Sequence, residues 1–386
     1  MRKPMMLTLF LLCLSMTMPL FGQTGKPTDI AADTTQAAAL MKAAQVLFDS
    51  LKHDAALEKM EQAATLYERS LGTESREFAN FLYRKAICIY KKGDYPRASE
   101  LFQTSLDIQI KVLGEQTIDV GRSYNGLGVI LMENGKYELA IENYLKSLNI
   151  LFKILGPEDI ELVAPYDNLG KVYLKKRDFA LSAENFHKAL DIRLKRFGAD
   201  HPVVAKSYLG LGELESLRGN FKQVVDYNQK ALSTFSKSGM PEPMDAIMVY
   251  NNIGNAYRLS SEYDEALAYY DKSLSVCIAH FGSDHTNVGV LYNNIGNIYM
   301  AKSNYDLALK CYQNVLAIFQ KNLTPDNPNL AGIYNNIGEI YRNKGNTDKA
   351  LEYYQKALAV FQKRSTKENS SVASINANQA IVYAQK

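Results

Sequence analysis

Three near-identical octets concentrate the polar chemistry of this chain: YNNIGNAY at residues 250–257, YNNIGNIY at 292–299 and YNNIGEIY at 334–341. Their asparagines fall in columns: Asn251, Asn293 and Asn335; Asn252, Asn294 and Asn336; Asn255 and Asn297, with Glu339 in the last place. A fourth column holds Arg258, Met300 and Arg342. A carboxamide offers both donors and an acceptor, the same pair that an extended peptide backbone presents at every residue. An asparagine ladder can therefore hold a main chain without reading its side chains. That is binding chemistry, in which no covalent bond is made or broken.

Residue types suited to catalysis or metal binding lack the spacing their chemistry needs. Of the five histidines, His53, His187, His201, His280 and His285, two occupy the same linker place, His201 and His285, and belong to a repeated frame. The sequence has no HExxH, CxxC, GxSxG elbow or phosphate loop, and its GLG runs at 126–128 and 210–212 fall inside helical patterns. Glu213 and Glu215 stand two apart, which puts them on different faces of a helix. The expectation is a chain that is not an enzyme and carries no cofactor or metal. Cys88, Cys277 and Cys311 sit in apolar helical patterns and read as small buried hydrophobes.

The elements that position the asparagines follow from a fixed interval. Gly254, Gly296 and Gly338 are 42 residues apart, and the same step backwards reaches Gly212, Gly170, Gly128, Ala86 and Ala44. A forward step reaches Ala380. Twelve residues beyond each marker the residue is small, as at Ala56, Ala98, Ala140, Ala266, Ala308 and Ala350. A glycine inside a helix costs roughly 1 kcal/mol against alanine, so its return at one column requires a packing reason. Tyr292, Ile295, Gly296 and Tyr299 fall at i, i+3, i+4 and i+7, the stripe of an amphipathic helix. A second such pattern runs from Tyr305 to about Gln320, so each unit is a helical hairpin. In the linkers FGADHP, FGSDHT and LTPDNP, aspartate is expected to cap the next helix and proline to begin it. Asn293, Asn294, Asn297 and Met300 then lie opposite the packing stripe.

These columns resemble the tetratricopeptide repeat, W-x2-L-G-x2-Y followed by A-x3-F, whose places are taken in this chain by Tyr292, Ile295, Gly296, Tyr299, Ala308 and Tyr312. The 42-residue interval is similar to the longer variety of kinesin light chains and bacterial arrays, and the resemblance covers about residues 35–386 with Tyr or Leu in place of Trp. It implies an all-α solenoid, a right-handed superhelix of hairpins, whose first helices line a concave groove. The groove residues it implies are Asn251, Asn252, Asn255, Arg258, Asn293, Asn294, Asn297, Asn335, Asn336 and Arg342. Asparagines in such arrays also bond neighbouring helices, and for the middle column, Asn252, Asn294 and Asn336, that structural reading leads. The outer columns point to binding.

The chain has 386 residues, 47% hydrophobic and 22% charged, with a net charge of +3, which argues against a nucleic-acid partner. Its start, MRKPMMLTLFLLCLSMTMPLFGQTG, has basic residues before a leucine-rich run and reads as a secretory signal. The expected division is a signal peptide at 1–22, a linker at 23–34, five repeat units at 35–236, a weakened joint at 237–244, three units at 245–369 and a capping helix at 370–386. The expected function is a periplasmic or secreted scaffold that holds a protein or peptide segment, with no membrane insertion once the signal is cleaved. An uncleaved segment would leave it membrane-anchored, and self-association is left open. The alternative is the sensory or regulatory region of a larger signalling protein, a histidine kinase or a caspase-like peptidase.

Overall fold

The computed structural model describes residues 27–239, 242–362 and 370–384, and the expected signal peptide at 1–22 lies outside them. Described residues form seventeen α-helices and one 3-10 turn, with no strand among them. The chain divides after Lys176 into two compact units.

The first unit contains the hairpins α1 (Pro27–Asp49) with α2 (His53–Leu71), α3 (Arg76–Lys91) with α4 (Tyr95–Leu113), and α5 (Ile118–Glu133) with α6 (Tyr137–Leu155). A 3-10 turn at Ile160–Leu162 then leads into α7 (Val163–Lys175). Helix α1 begins at Pro27, so residues 27–34 of the expected linker are helical, as suits Ala31 and Ala32 behind Asp29 in the first turn.

The second unit opens with α8 (Phe179–Phe197) and continues with α9 (Pro202–Arg218) and α10 (Phe221–Lys237), then α11 (Pro243–Leu259) and α12 (Tyr263–Phe281). After these come α13 (Thr286–Ala301) with α14 (Tyr305–Asn322), α15 (Pro328–Asn343) with α16 (Thr347–Gln362), and the lone helix α17 (Ser370–Ala384). Helix α17 buries Ile375 and Val382 in the cluster that also holds Ile333 of α15 and Phe361 of α16, and so covers apolar surface of the last hairpin. On either side of the expected joint at 237–244, Phe235 of α10 shares one apolar cluster with Val249 and Ile253 of α11.

The marker glycines have the packing reason their sequence demanded. A Cβ at Gly128 would stand 2.5 Å from the ring of Tyr144, and one at Gly254, Gly296 or Gly338 would stand 2.7 to 2.8 Å from the rings of Tyr270, Tyr312 and Tyr354. All four tyrosines are among the largest fully buried side chains. Each ring of a second helix thus lies directly on the backbone of its own first helix. The small column is buried as well, with Ala56, Ala98, Ala140, Ser182, Ala266, Ala308 and Ala350 at 0% exposure. In the unit of Gly212 the ring is replaced by Asn228, which is buried and donates to the Val224 carbonyl at 2.8 Å. Glu215 in that unit is also buried, and it accepts from Arg218 at 2.9 Å and from Asn220 at 2.6 Å.

The linkers correct one expectation. The cap is the residue after the aspartate: Nδ1 of His201 accepts from the Val203 N–H at 3.3 Å, and Nδ1 of His285 accepts from the Asn287 N–H at 3.2 Å. Asn327 does the same for Asn329 at 3.0 Å. Both histidines stack on a phenylalanine from the preceding helix, Phe197 and Phe281, which fixes the ring for capping. Asp200 and Asp284 instead pair with Lys237 and Lys321. Pro202 and Pro328 do begin their helices, as expected.

Cys88, Cys277 and Cys311 are buried free thiols, and burial pushes those of Cys88 and Cys311 up from 9.0 to about 11. A thiol whose folded value is raised favours the folded chain below its unfolded value, and that contribution is lost as pH rises through the folded value. Stability measured by urea unfolding is therefore expected to fall between about pH 9 and pH 11, and to fall less in a variant with all three cysteines replaced by alanine. The glycine contact gives a second expectation. Gly296→Ala should cost about 1–3 kcal/mol in urea unfolding by overpacking against Tyr312. Gly332→Ala, where a Cβ would meet nothing within 4 Å, should instead raise stability by up to about 1 kcal/mol.

Candidate functional site

The asparagines of the second unit are bonded to one another and to buried tyrosines. Nδ2 of Asn294 on α13 donates to Oδ1 of Asn251 on α11 at 3.0 Å, and Asn378 on α17 donates to Asn335 on α15 at 3.0 Å. The first unit repeats this pairing, with Asn168 on α7 donating to Asn125 on α5 at 3.0 Å. Asn252 reaches back to Asn228 on α10 at 3.4 Å. Oδ1 of Asn255 accepts the Tyr270 phenol at 2.8 Å, and Oδ1 of Asn297 accepts the Tyr312 phenol at 2.7 Å. The same amides thus hold adjacent hairpins together and satisfy phenols that burial would otherwise orphan.

One link of this ladder is open. The pairing that joins Asn294 to Asn251 would join Asn336 to Asn293, but the Asn293 oxygen takes no such bond. Oδ1 of Asn293 is left buried with no hydrogen-bond partner. The two arginines are held by the scaffold. Arg258 stands near the Tyr270 phenol and favours its charged form, and Arg342 reaches Glu339 at 3.3 Å and Asn378 at 3.5 Å. Tyr354 has no hydrogen-bond partner, and burial pushes its phenol up to about 12.

Around the open link lies a cleft of about 750 Å³ formed by α13, α15 and α17 with the ends of α14 and α16. Its buried floor is Phe319, Ile333, Phe361 and Ile375. Asn293, Asn335 and Asn336 edge it, beside Val290 and Gly332, and among the described residues no charged side chain lines it. Of the residues expected in a groove, these three asparagines meet at the cleft, whereas Asn251, Asn252, Asn255, Asn294, Asn297, Arg258 and Arg342 do not line it. A neighbouring apolar column escapes a reading of the sequence alone. Met248 and Val290 are 41% and 46% exposed and stand one period apart, with Gly332 next in the same register. That register is the signal by which the column could be found.

The first unit has a cleft of about 770 Å³ with a charged lining that includes Glu77, Arg84, Asp119, Arg122 and Glu161. Arg122 binds Glu161 at 2.6 Å and holds its carboxyl below the ordinary range, and Arg76 binds Asp119 at 2.8 Å. Most of this charge is compensated internally. Among the described residues no group of three or more His, Cys, Asp or Glu could hold a metal ion, and no helix is long and apolar enough to cross a membrane.

Repeated helix pairs with rings on glycine, joined by amides at a constant interval, define a tandem-repeat α-solenoid. Sequence models described as tetratricopeptide repeat match residues 77–151, 119–192, 161–237, 245–299 and 288–363, and another matches 41–111. The chain belongs to the tetratricopeptide repeat family. No curated protein matches it. Among solved structures it is similar to a Signal Transduction ATPase with Numerous Domains (STAND) protein with a tetratricopeptide repeat sensor from Pyrococcus horikoshii, at 16% identity and a TM-score of 0.64, covering 94% of this chain and 56% of that one. It is also similar to the apo form of RapI, at 16% identity and a TM-score of 0.52, covering 74% of this chain and 98% of that one. BtubC (BKLC) from P. vanneervenii matches at 20% identity and a TM-score of 0.47, covering 66% of this chain and 92% of that one.

The phenol–amide bonds separate two neighbouring tyrosines experimentally. Tyr312→Phe should lower urea-unfolding stability by about 1 kcal/mol by removing the donor to Asn297. Tyr354→Phe, which removes a hydroxyl without a partner, should leave stability unchanged or raise it.

Proposed function

We propose that this chain is a non-catalytic scaffold whose second unit holds an extended segment of a partner protein across the first-helix faces of α11, α13 and α15. The buried, unpartnered Oδ1 of Asn293 beside an uncharged cleft carries this reading. A buried acceptor without a donor is costly, and a guest N–H supplies the missing donor. The outer asparagines support it, because Asn251, Asn255, Asn297 and Asn335 spend their oxygens on the scaffold. Each such amide retains N–H donors that can meet the carbonyls of a guest strand. Met248 and Val290 add apolar surface beside them. An exported location, periplasmic or secreted, accompanies this reading on the strength of residues 1–22.

Crosslinking in the native envelope followed by mass spectrometry identifies the bound segment, and a labelled peptide of that segment then reports affinity by fluorescence anisotropy. Asn293→Ala is expected to weaken binding roughly fivefold, the equivalent of about 1 kcal/mol, with the melting temperature unchanged. Unaltered affinity would remove Asn293 from the site.

A second reading is favoured by the STAND protein with a tetratricopeptide repeat sensor, whose likeness spans 94% of this chain and 56% of that one. In it the chain is the sensory region of a longer signalling protein. The reading frame beyond Lys386 tests this, since a kinase or peptidase domain encoded there would support it.

A further inference from the structure

We propose that Gly332 opens a side-chain subsite that admits one uncharged, apolar residue of the partner segment and so sets the register in which that segment lies. The proposal rests on the groove reading above and adds to it the chemistry of the guest.

Gly332 differs from the other helical glycines of α11, α13 and α15. Gly254, Gly289, Gly296 and Gly338 each face an aromatic ring that a Cβ would strike, but a Cβ at Gly332 would meet nothing within 4 Å. A glycine in a helix interior destabilises it relative to alanine, and at Gly332 no contact inside the protein accounts for that loss. Its column-mates Met248 and Val290 carry exposed apolar side chains. At Gly332 the corresponding volume is empty and belongs to the cleft.

The chemistry of the cleft defines what can fill that volume. Its floor of Phe319, Ile333, Phe361 and Ile375 is apolar, so an aliphatic or aromatic side chain gains by burial there. Among the described residues no charged side chain lines the cleft, so a guest lysine or glutamate would lose water there without gaining a counter-charge from them. The buried Oδ1 of Asn293 lies on the same cleft and needs a donor, which the guest's backbone N–H provides while its side chain points at Gly332. The amide columns continue beyond the cleft to Asn251 and Asn255, a span suited to an extended chain rather than a compact ligand.

The test uses the full mature chain and an array of ten-residue peptides with random flanks, in which the fifth residue is each of the twenty amino acids in turn. Gly332→Phe fills the subsite, and Gly332→Ala controls for the helix; both are checked for unchanged or raised melting temperature. The expected result is that the wild type prefers Leu, Met or Phe over Lys, Glu and Gly at the fixed position. Gly332→Phe should lose that preference and bind the preferred peptides at least about tenfold more weakly, while Gly332→Ala stays closer to wild type. Peptide capture with no preference at the fixed position and no effect of Gly332→Phe would overturn the subsite and leave the groove standing. No capture by the wild type would overturn both. Concentration-dependent dimerisation in sedimentation velocity, abolished by Gly332→Phe in a chain that captures no peptide, would assign the cleft to a second copy and overturn the proposal.

Discussion

The contact on which four of the hairpins depend is a tyrosine ring lying on a glycine backbone. Tyr144, Tyr270, Tyr312 and Tyr354 occupy space that a single methyl group at Gly128, Gly254, Gly296 or Gly338 would invade. Because protein interiors are close-packed, the separation of the two helices in these four hairpins is fixed by that contact and the small column beside it. The asparagine positions are fixed in turn, since they flank the same glycine on the first helix. A change of spacing would break the amide bonds between hairpins before it exposed much apolar surface.

The polar residues serve the stack first. Asn294 joins its hairpin, and Asn378 the lone helix α17, to the preceding hairpin, and Asn255 and Asn297 take up phenols that would otherwise be buried without an acceptor. The amide is suited to this because its oxygen can accept from the scaffold while its nitrogen stays available. At Asn293 the arrangement is reversed, with the oxygen unsatisfied and a neutral cleft beside it. The weakened unit around Gly212 shows that the stack tolerates substitution when the new polar groups are satisfied, as Glu215 is by Arg218 and Asn220.

The fold is legible in the sequence because its determinant is local and repeated: a glycine or alanine at a fixed interval, small residues twelve places on and aromatic residues between. The middle asparagine column bonds a neighbouring helix at Asn294, and the same donor role recurs at Asn168 between α7 and α5 and at Asn378 between α17 and α15. Less legible is the use of Asn255 and Asn297, because their partners Tyr270 and Tyr312 lie fifteen residues away on another helix. The histidine caps escape notice because the neighbouring aspartate has the stronger general tendency to cap, and stacking on Phe197 and Phe281 overrides it. The opening at Gly332 is invisible in sequence, where a packing glycine and an empty one are the same letter.

The residue just after each marker glycine carries a different kind of information. That place holds Val129 where Tyr144 keeps an unbonded hydroxyl, Asn255 and Asn297 where the phenol is accepted, and Glu339 where Arg342 draws the carboxylate away from Tyr354. The ring stays on the glycine in every case. Helix spacing and the bonding of the buried phenol are therefore set by different residues along this chain: the glycine fixes where the ring lies, and the residue after it decides whether the hydroxyl finds an acceptor.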